Sequence, residues 1–225
     1  MKTRALSSDD KYIKRSVILQ AARELFLADD RQLPAVATIA KQADLAKGTV
    51  YLYFSTKEEI FLALLAEEFA GLLSEIRQYL QACTSNKTSD KKPSKNQKQI
   101  LATGLIECIT AYLQSHPEFL RLDAMSYSVL EQNLSDEFLH AFKVELTHHL
   151  VTAGNQLDLV MSLDAGKGIS LLLRTYALMR GLWQSLDYPE HLQKLLAHPM
   201  FAPIRPEFHQ ELRAALGEYW TGALA

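Results

Sequence analysis

Residues 36–60, VATIAKQADLAKGTVYLYFSTKEEI, constrain this chain more than any other stretch. Ile39, Ala40 and Ala43 share one face of a short helix. After a turn at Asp44 and Leu45, Val50 and Phe54, four apart, mark the buried face of a second. Lys47, Gly48, Thr49, Tyr51 and Leu52 fall mostly on the other side. Such a face of cation, glycine, hydroxyl, phenol and methyls suits the major groove of DNA: donors for phosphates, room for close approach, apolar atoms for thymine methyls. Ser55-Thr56-Lys57-Glu58 then fits a capping box, with Ser55 as N-cap and Glu58 reaching back. The helix it starts would gather backbone amides and Lys57 into a seat for one DNA phosphate.

The run Lys47-Gly48-Thr49-Val50-Tyr51, with Tyr53-Phe54, Lys57 and Ile60, resembles position for position the second half of the helix-turn-helix of the TetR family of bacterial repressors. The resemblance covers about residues 10 to 65; beyond them only the layout is similar. It implies an all-α chain, with a three-helix helix-turn-helix domain at 1–60 and a helical domain for effector binding and dimerisation at 61–225. It also implies a homodimer on a pseudo-palindromic double-stranded operator and a small-molecule effector; no cofactor and no metal are expected, because the residues show no ligand cluster and no glycine-rich phosphate loop. The DNA-binding residues carried over are Thr38, Lys47, Gly48, Thr49, Tyr51, Leu52, Tyr53 and Lys57. Three departures stand out. Asp44 replaces the usual turn glycine, so a left-handed residue there is an aspartate. Ala46 replaces the usual Ser or Thr, which removes an N-cap of about 1 kcal/mol. Val36 and Ala37 stand where relatives often carry a polar base contact, which shifts sequence readout toward Lys47 to Tyr53.

The bulk properties fit this reading without requiring it. Net charge is −2, yet residues 1–60 carry ten Lys plus Arg against eight Asp plus Glu, and the remainder fourteen against eighteen. A local basic surface, not the total, decides nucleic-acid affinity. No apolar run approaches the ~20 residues that span a bilayer, and MKTRALSSDDKY lacks the apolar region of a secretory signal. Cys83 and Cys108 have no metal-binding spacing and read as reduced thiols of a cytoplasmic protein.

Asp9 and Asp10 precede a helix, YIKRSVILQAARELFLA, whose apolar stripe reads Ile13, Val17, Ile18, Ala21, Ala22, Leu25 and Phe26. Lys11, Lys14 and Arg15 at its start suit either DNA phosphates or a solvated face. After the capping box comes one helix of roughly 25 residues, which leads from the head into the rest of the chain. TSNKTSDKKPSKNQKQ has no apolar residue and reads as a mobile loop. The pattern from Ile100 onward is helical. Pro-Glu pairs at 117, 189 and 206 mark helix starts with proline at the first position, and Ser135 marks another. Helices are predicted at about 117–132, 136–160, 165–187, 189–197 and 206–222. Leu212 and Leu216 on the last serve either the core or a dimer interface resembling the family's four-helix bundle.

No catalytic or metal-binding constellation emerges. His148 and His149 point to different faces, and His140 lies two turns from His148. Phe119, Met125, Tyr127, Tyr176, Met179 and Trp183 are candidates for an effector pocket, each equally readable as core. Arg174, amid Leu171, Leu172, Leu173 and Tyr176, needs a partner: a ligand acid, or Glu107, Asp123 or Glu131. A transcriptional regulator, a repressor released by its effector, is the expected function. Two others stay open: a DNA-binding structural or partner-controlled factor without effector, and a helical enzyme.

Overall fold

The computed structural model describes residues 8–28, 32–85 and 92–225, and every regular element among them is helical. They pack as two compact units. The first comprises residues 1–68 and 117–145, the second 69–116 and 146–225. Residues 117–145, which the sequence reading put in the second domain, thus pack with the head.

In the first unit α1 (Ser8–Ala28), α2 (Val36–Gln42), α3 (Lys47–Val50) and the start of α4 (Lys57–Ser85) form the head, joined by α6 (Glu118–Met125) and the start of α7 (Asp136–Met161). Its core is Ile18, Ala22, Phe26, Ile39, Val50, Phe54, Ile60 and Phe61. Phe26 and Phe61 meet with ring centroids 5.7 Å apart. Ile13 and Val17 are exposed, so the predicted stripe of α1 holds only from Ile18 onward.

The turn between α2 and α3 has Asp44 at φ +52°, the left-handed conformation expected of this position. Ala46 is the N-cap of α3 and makes no side-chain cap bond. The capping box of α4 lies one residue later than expected. Thr56 Oγ1 accepts from the Glu59 N–H at 3.1 Å, and Glu59, not Glu58, reaches back to the Ser55 N–H. Ile60 and Phe61 are both fully buried, which fixes this register.

In the second unit the rest of α4 packs with α5 (Lys95–Ser115), the rest of α7, α8 (Lys167–Leu186), α9 (Glu190–Leu196) and α10 (Phe208–Ala223). α5 begins at Lys95, inside the predicted loop, because Ser94 and Gln97 form a reciprocal capping box. Only the 86–91 part of that loop lies outside the described residues. Ser135 Oγ accepts from the Phe138 N–H, as expected of an N-cap. Pro117 and Pro189 sit at N-caps, one position before the first helical residue, and Glu207 caps α10.

Three short elements escaped the sequence pattern. The helix expected at 117–132 changes after Met125 into a π turn at Ser126–Leu130 and a 3₁₀ turn at Glu131–Asn133. A 3₁₀ segment, Pro199–Ile204, links α9 to α10. Leu212, Leu216 and Trp220 are fully buried, so the ambiguity over α10 resolves toward the core of this unit. The Trp220 indole donates to Thr175 Oγ1 of α8 at 3.1 Å.

Candidate nucleic-acid interface and effector cavity

α3 is anchored from behind. Val50 and Phe54 are buried, and this leaves Lys47, Gly48, Tyr51 and Leu52 exposed, with Thr49 and Tyr53 half-buried beside them. Lys47 Nζ stands 5.7 Å from the centre of the Tyr51 ring. Thr38 is exposed on α2, whereas Val36 is buried. Lys57, half-buried, occupies the first turn of α4, where free amides favour an anion. All eight predicted DNA-binding residues therefore lie on the head, seven of them between Thr38 and Tyr53.

Gly48 is informative in this setting. Its φ is not positive, and a Cβ placed there meets no atom within 4 Å. Neither conformation nor packing of the free chain asks for glycine. Glycine in a helix interior costs about 1 kcal/mol relative to alanine, so the isolated chain gains nothing from it here.

The second unit contains a cavity of about 110 Å³. Phe69, Leu72, Leu73 and Ile76 of α4 form one wall, Ile109 of α5 and Leu146 and Leu150 of α7 the next, and α8 closes it with Leu172, Leu173, Thr175, Tyr176 and Met179. No charged side chain lines it. Phe69 and Tyr176 pack edge to face at 5.6 Å. Both polar wall groups are engaged, Thr175 with Trp220 and the Tyr176 hydroxyl with Arg180 Nη1 at 3.0 Å.

Of the predicted ligand residues, the cavity brings together Tyr176 and Met179. Phe119, Met125 and Tyr127 belong to the other unit. Trp183 packs its edge on Phe208 at 5.1 Å instead. Arg174 is exposed and off the lining. Among its suggested partners, Glu107 pairs with Arg213 at 3.4 Å and Glu131 with Lys143 at 2.7 Å. The arginine whose guanidinium touches the cavity wall is Arg180. Its spacing from Tyr176, four residues, was the available signal.

The fold and the exposed face of α3 define a helix-turn-helix DNA-binding protein. Comparison with known proteins places it further. Residues 66–225 match the family described as "Tetracyclin repressor-like, C-terminal domain", and residues 18–64 that described as "Bacterial regulatory proteins, tetR family". The chain belongs to the TetR family of transcriptional regulators. It is 36% identical over 61 residues to the fatty acid metabolism regulator protein of Bacillus subtilis, covering 27% of this chain and 31% of that one. It is 34% identical over 74 residues to the transcriptional activator FasR of Mycolicibacterium smegmatis, covering 33% and 34%. The matched stretches thus span about a third of these curated relatives. A crystal structure from Mesorhizobium loti, of a protein assigned to the TetR family, superposes over 98% of both chains with TM-score 0.58 at 16% identity, which shows a shared fold. Among the described residues no helix is long and apolar enough to cross a membrane.

Proposed function

We propose that this chain is a homodimeric repressor that binds a pseudo-palindromic operator through residues 1–60 and is released by an apolar effector held within residues 61–225. The observation carrying the DNA reading is the outward face of α3, with an unneeded glycine at its centre. Members of the family bind operators and act as dimers. A pseudo-palindrome suits two heads one helical turn apart, ~34–36 Å.

The effector reading rests on the cavity. Its lining accepts hydrocarbon, which agrees with a relative named for fatty acid metabolism. Its volume is below the ~150 Å³ that seats benzene and far below the ~300–1,000 Å³ of ligand sites. It is not enclosed, since Leu173 in its wall is 48% exposed, so an acyl chain would extend outward past that side, and a ligand that favours the arrangement unable to bind DNA shifts the equilibrium toward it. Arg180, at the wall, replaces Arg174 as the anchor for an acidic head group. Activation instead of repression is the second reading, favoured by the name of the M. smegmatis relative.

The test is selection of bound DNA from a random-sequence pool, followed by titration of fatty acids against the selected site. An inverted repeat should emerge, Thr49→Ala should relax its base preference, and dodecanoate should weaken the complex by roughly 5–150-fold. Dodecanol should act more weakly, and Arg180→Gln should erase the difference between the two. Enrichment of no repeat would refute the operator reading. Binding unchanged by any acid or alcohol of this kind would refute the effector.

The dimer has its own test. Leu178 on α8 is 37% exposed, and Gly181 on α8 and Gly217 on α10 leave room beside their backbones. Small residues on two helices permit close packing against a second copy. Leu178→Asp is expected to give a folded monomer by sedimentation, with operator affinity reduced through lost avidity. Leu212→Asp, at a buried position, is expected to unfold the chain instead. A wild-type protein monomeric at micromolar concentration would exclude this arrangement.

A further inference from the structure

The cavity of the second unit is open on one side, and that side runs into the face that α8 offers to a second copy. α7 and α8 meet backbone to backbone at Gly154 and Gly168. One turn beyond that crossing, Leu150 of α7 and Leu173 of α8 both line the cavity, with Leu146 and Tyr176 about a turn further on. Leu173 is exposed, and Leu146, Leu150 and Tyr176 are half-buried. The opening is therefore apolar, and Leu173 stands at its lip.

Leu173 also begins a stripe. Ala177 and Gly181 follow it at four-residue steps, Leu178 lies beside them, and all are exposed. A face that packs on its own copy about a two-fold axis must tolerate itself. This one does: α8 has no carboxylate, and the one cation of the stripe, Arg174, sits four residues from Leu178. With the axis at Leu178, two antiparallel α8 helices hold their Arg174 residues ~12 Å apart along the helix direction. The same register brings Leu182 of the partner subunit level with Arg174 and beside Leu173. An acyl chain that passes Leu173 would lie against water in one copy and against an apolar side chain in two.

We propose that the effector cavity is shared: α8 of a second copy covers the side at Leu173, and the length of acyl chain that emerges there packs on Leu182 of the partner subunit. Effector binding and dimerisation are then linked, because a ligand that touches both copies favours the state in which they are joined. The inference rests on the effector and dimer readings given above, and it adds the second copy as the source of selectivity for long chains.

The experiment measures binding of straight-chain acids from hexanoate to tetradecanoate by titration calorimetry. Each methylene that enters the cavity should raise affinity roughly fourfold, in wild type and in Leu178→Asp alike. Once the chain reaches Leu173, the monomeric variant should gain nothing more. The wild-type dimer should continue to gain, to a difference of about tenfold or more at tetradecanoate. Reciprocity then requires saturating tetradecanoate to strengthen wild-type association by the same factor per site, about a hundredfold for two sites. Sedimentation of wild type over a dilution series reads this without any substitution. Leu182→Ser should remain dimeric and lose the gain from the longer acids. Equal chain-length dependence in wild type and Leu178→Asp, with wild-type sedimentation unmoved by tetradecanoate, would overturn the shared cavity and leave the effector reading intact. Dissociation of the wild-type dimer by tetradecanoate would overturn it as well, as would an unaltered dependence in dimeric Leu182→Ser. Failure of wild type to bind any of these acids would overturn the effector reading together with it.

Discussion

Replacing Arg23 by alanine is expected to remove about 3–5 kcal/mol of folding stability, the usual cost of stripping one partner from a buried ion pair. Arg23 Nη1 donates to Glu68 of α4 and to Glu118 of α6, carboxylates that are 1% and 3% exposed, and Nη2 reaches Glu67 at 3.3 Å. Without the guanidinium, two anions would remain side by side in a dry site. Against a total stability of about 5–15 kcal/mol, this loss is a large fraction. Burial alone would disfavour the charge of Arg23, but attraction to Glu68 and then Glu118 outweighs it and holds its pKa above the usual arginine range. A raised pKa of this kind contributes stability at every pH below the ordinary arginine value and loses it only above. The penalty for Arg23→Ala should therefore be flat between about pH 6 and 9. Urea unfolding monitored by circular dichroism would measure it. Adding Glu118→Gln to Arg23→Ala should recover part of the loss. A single-variant loss under about 1 kcal/mol would show that the carboxylates find other partners.

The cluster also explains why residues 117–145 pack with the head. α6 grips α1 twice: Glu118 takes Arg23, and Arg121 donates to the Phe26 carbonyl at 2.9 Å while lying over the Phe26 ring at 4.6 Å. The second contact satisfies a carbonyl in the last turn of α1, one of the groups that a helix end leaves open. Sequence periodicity sees neither, because charges far apart in sequence announce no pairing.

What was legible follows from how local each determinant is. The α2–turn–α3 segment was readable because Val50, Phe54 and Gly48 act within a few residues, and the left-handed Asp44 followed from the resemblance, since it stands where the family usually has glycine. The cap of α4 was legible to within one residue only. Ser55 and Thr56 are both good caps, and the choice between them is made by burial of Ile60 and Phe61. Exposure of Ile13 and Val17 was not readable, since an aliphatic side chain does not say whether anything covers it. Leu212 and Leu216 give the same stripe for a core and for an interface; packing decides. Arg174 and Arg180 are six residues apart on one helix, hence on different faces. Arg180 stands four residues after Tyr176 and so shares its face, but that this face lines the cavity is decided by the helices packed against α8.

The last expected result concerns the crossing of α7 and α8, where no side chain separates the backbones. A Cβ on Gly168 would stand 2.2 Å from the Gly154 carbonyl oxygen, and one on Gly154 would stand 2.7 Å from the Ile169 nitrogen. Backbone atoms cannot swing aside as a side-chain tip can, so the helices must separate by an ångström or more. The start of α8 is pinned by Asp158, which accepts from the Gly166 N–H at 2.7 Å and the Gly168 N–H at 2.6 Å. Separation would stretch these two bonds to an ionised acceptor and loosen Leu172 and Met179 from the α7 side of the cavity. Overpacking typically costs about 1–3 kcal/mol, and each stretched charge-assisted bond adds about 1 kcal/mol or more. Gly168→Ala should therefore lower stability by about 3 kcal/mol, a fall of about 6–12 °C in Tm for a chain of this size; Gly168→Val should not accumulate as folded protein. Gly48→Ala provides the opposite control. With nothing near its Cβ, it should hold or raise Tm through better helix propensity while weakening DNA binding. Gly168→Ala melting with wild type would show that the α7–α8 crossing yields without cost. Gly48→Ala binding the operator unchanged would remove close approach as the reason for that glycine.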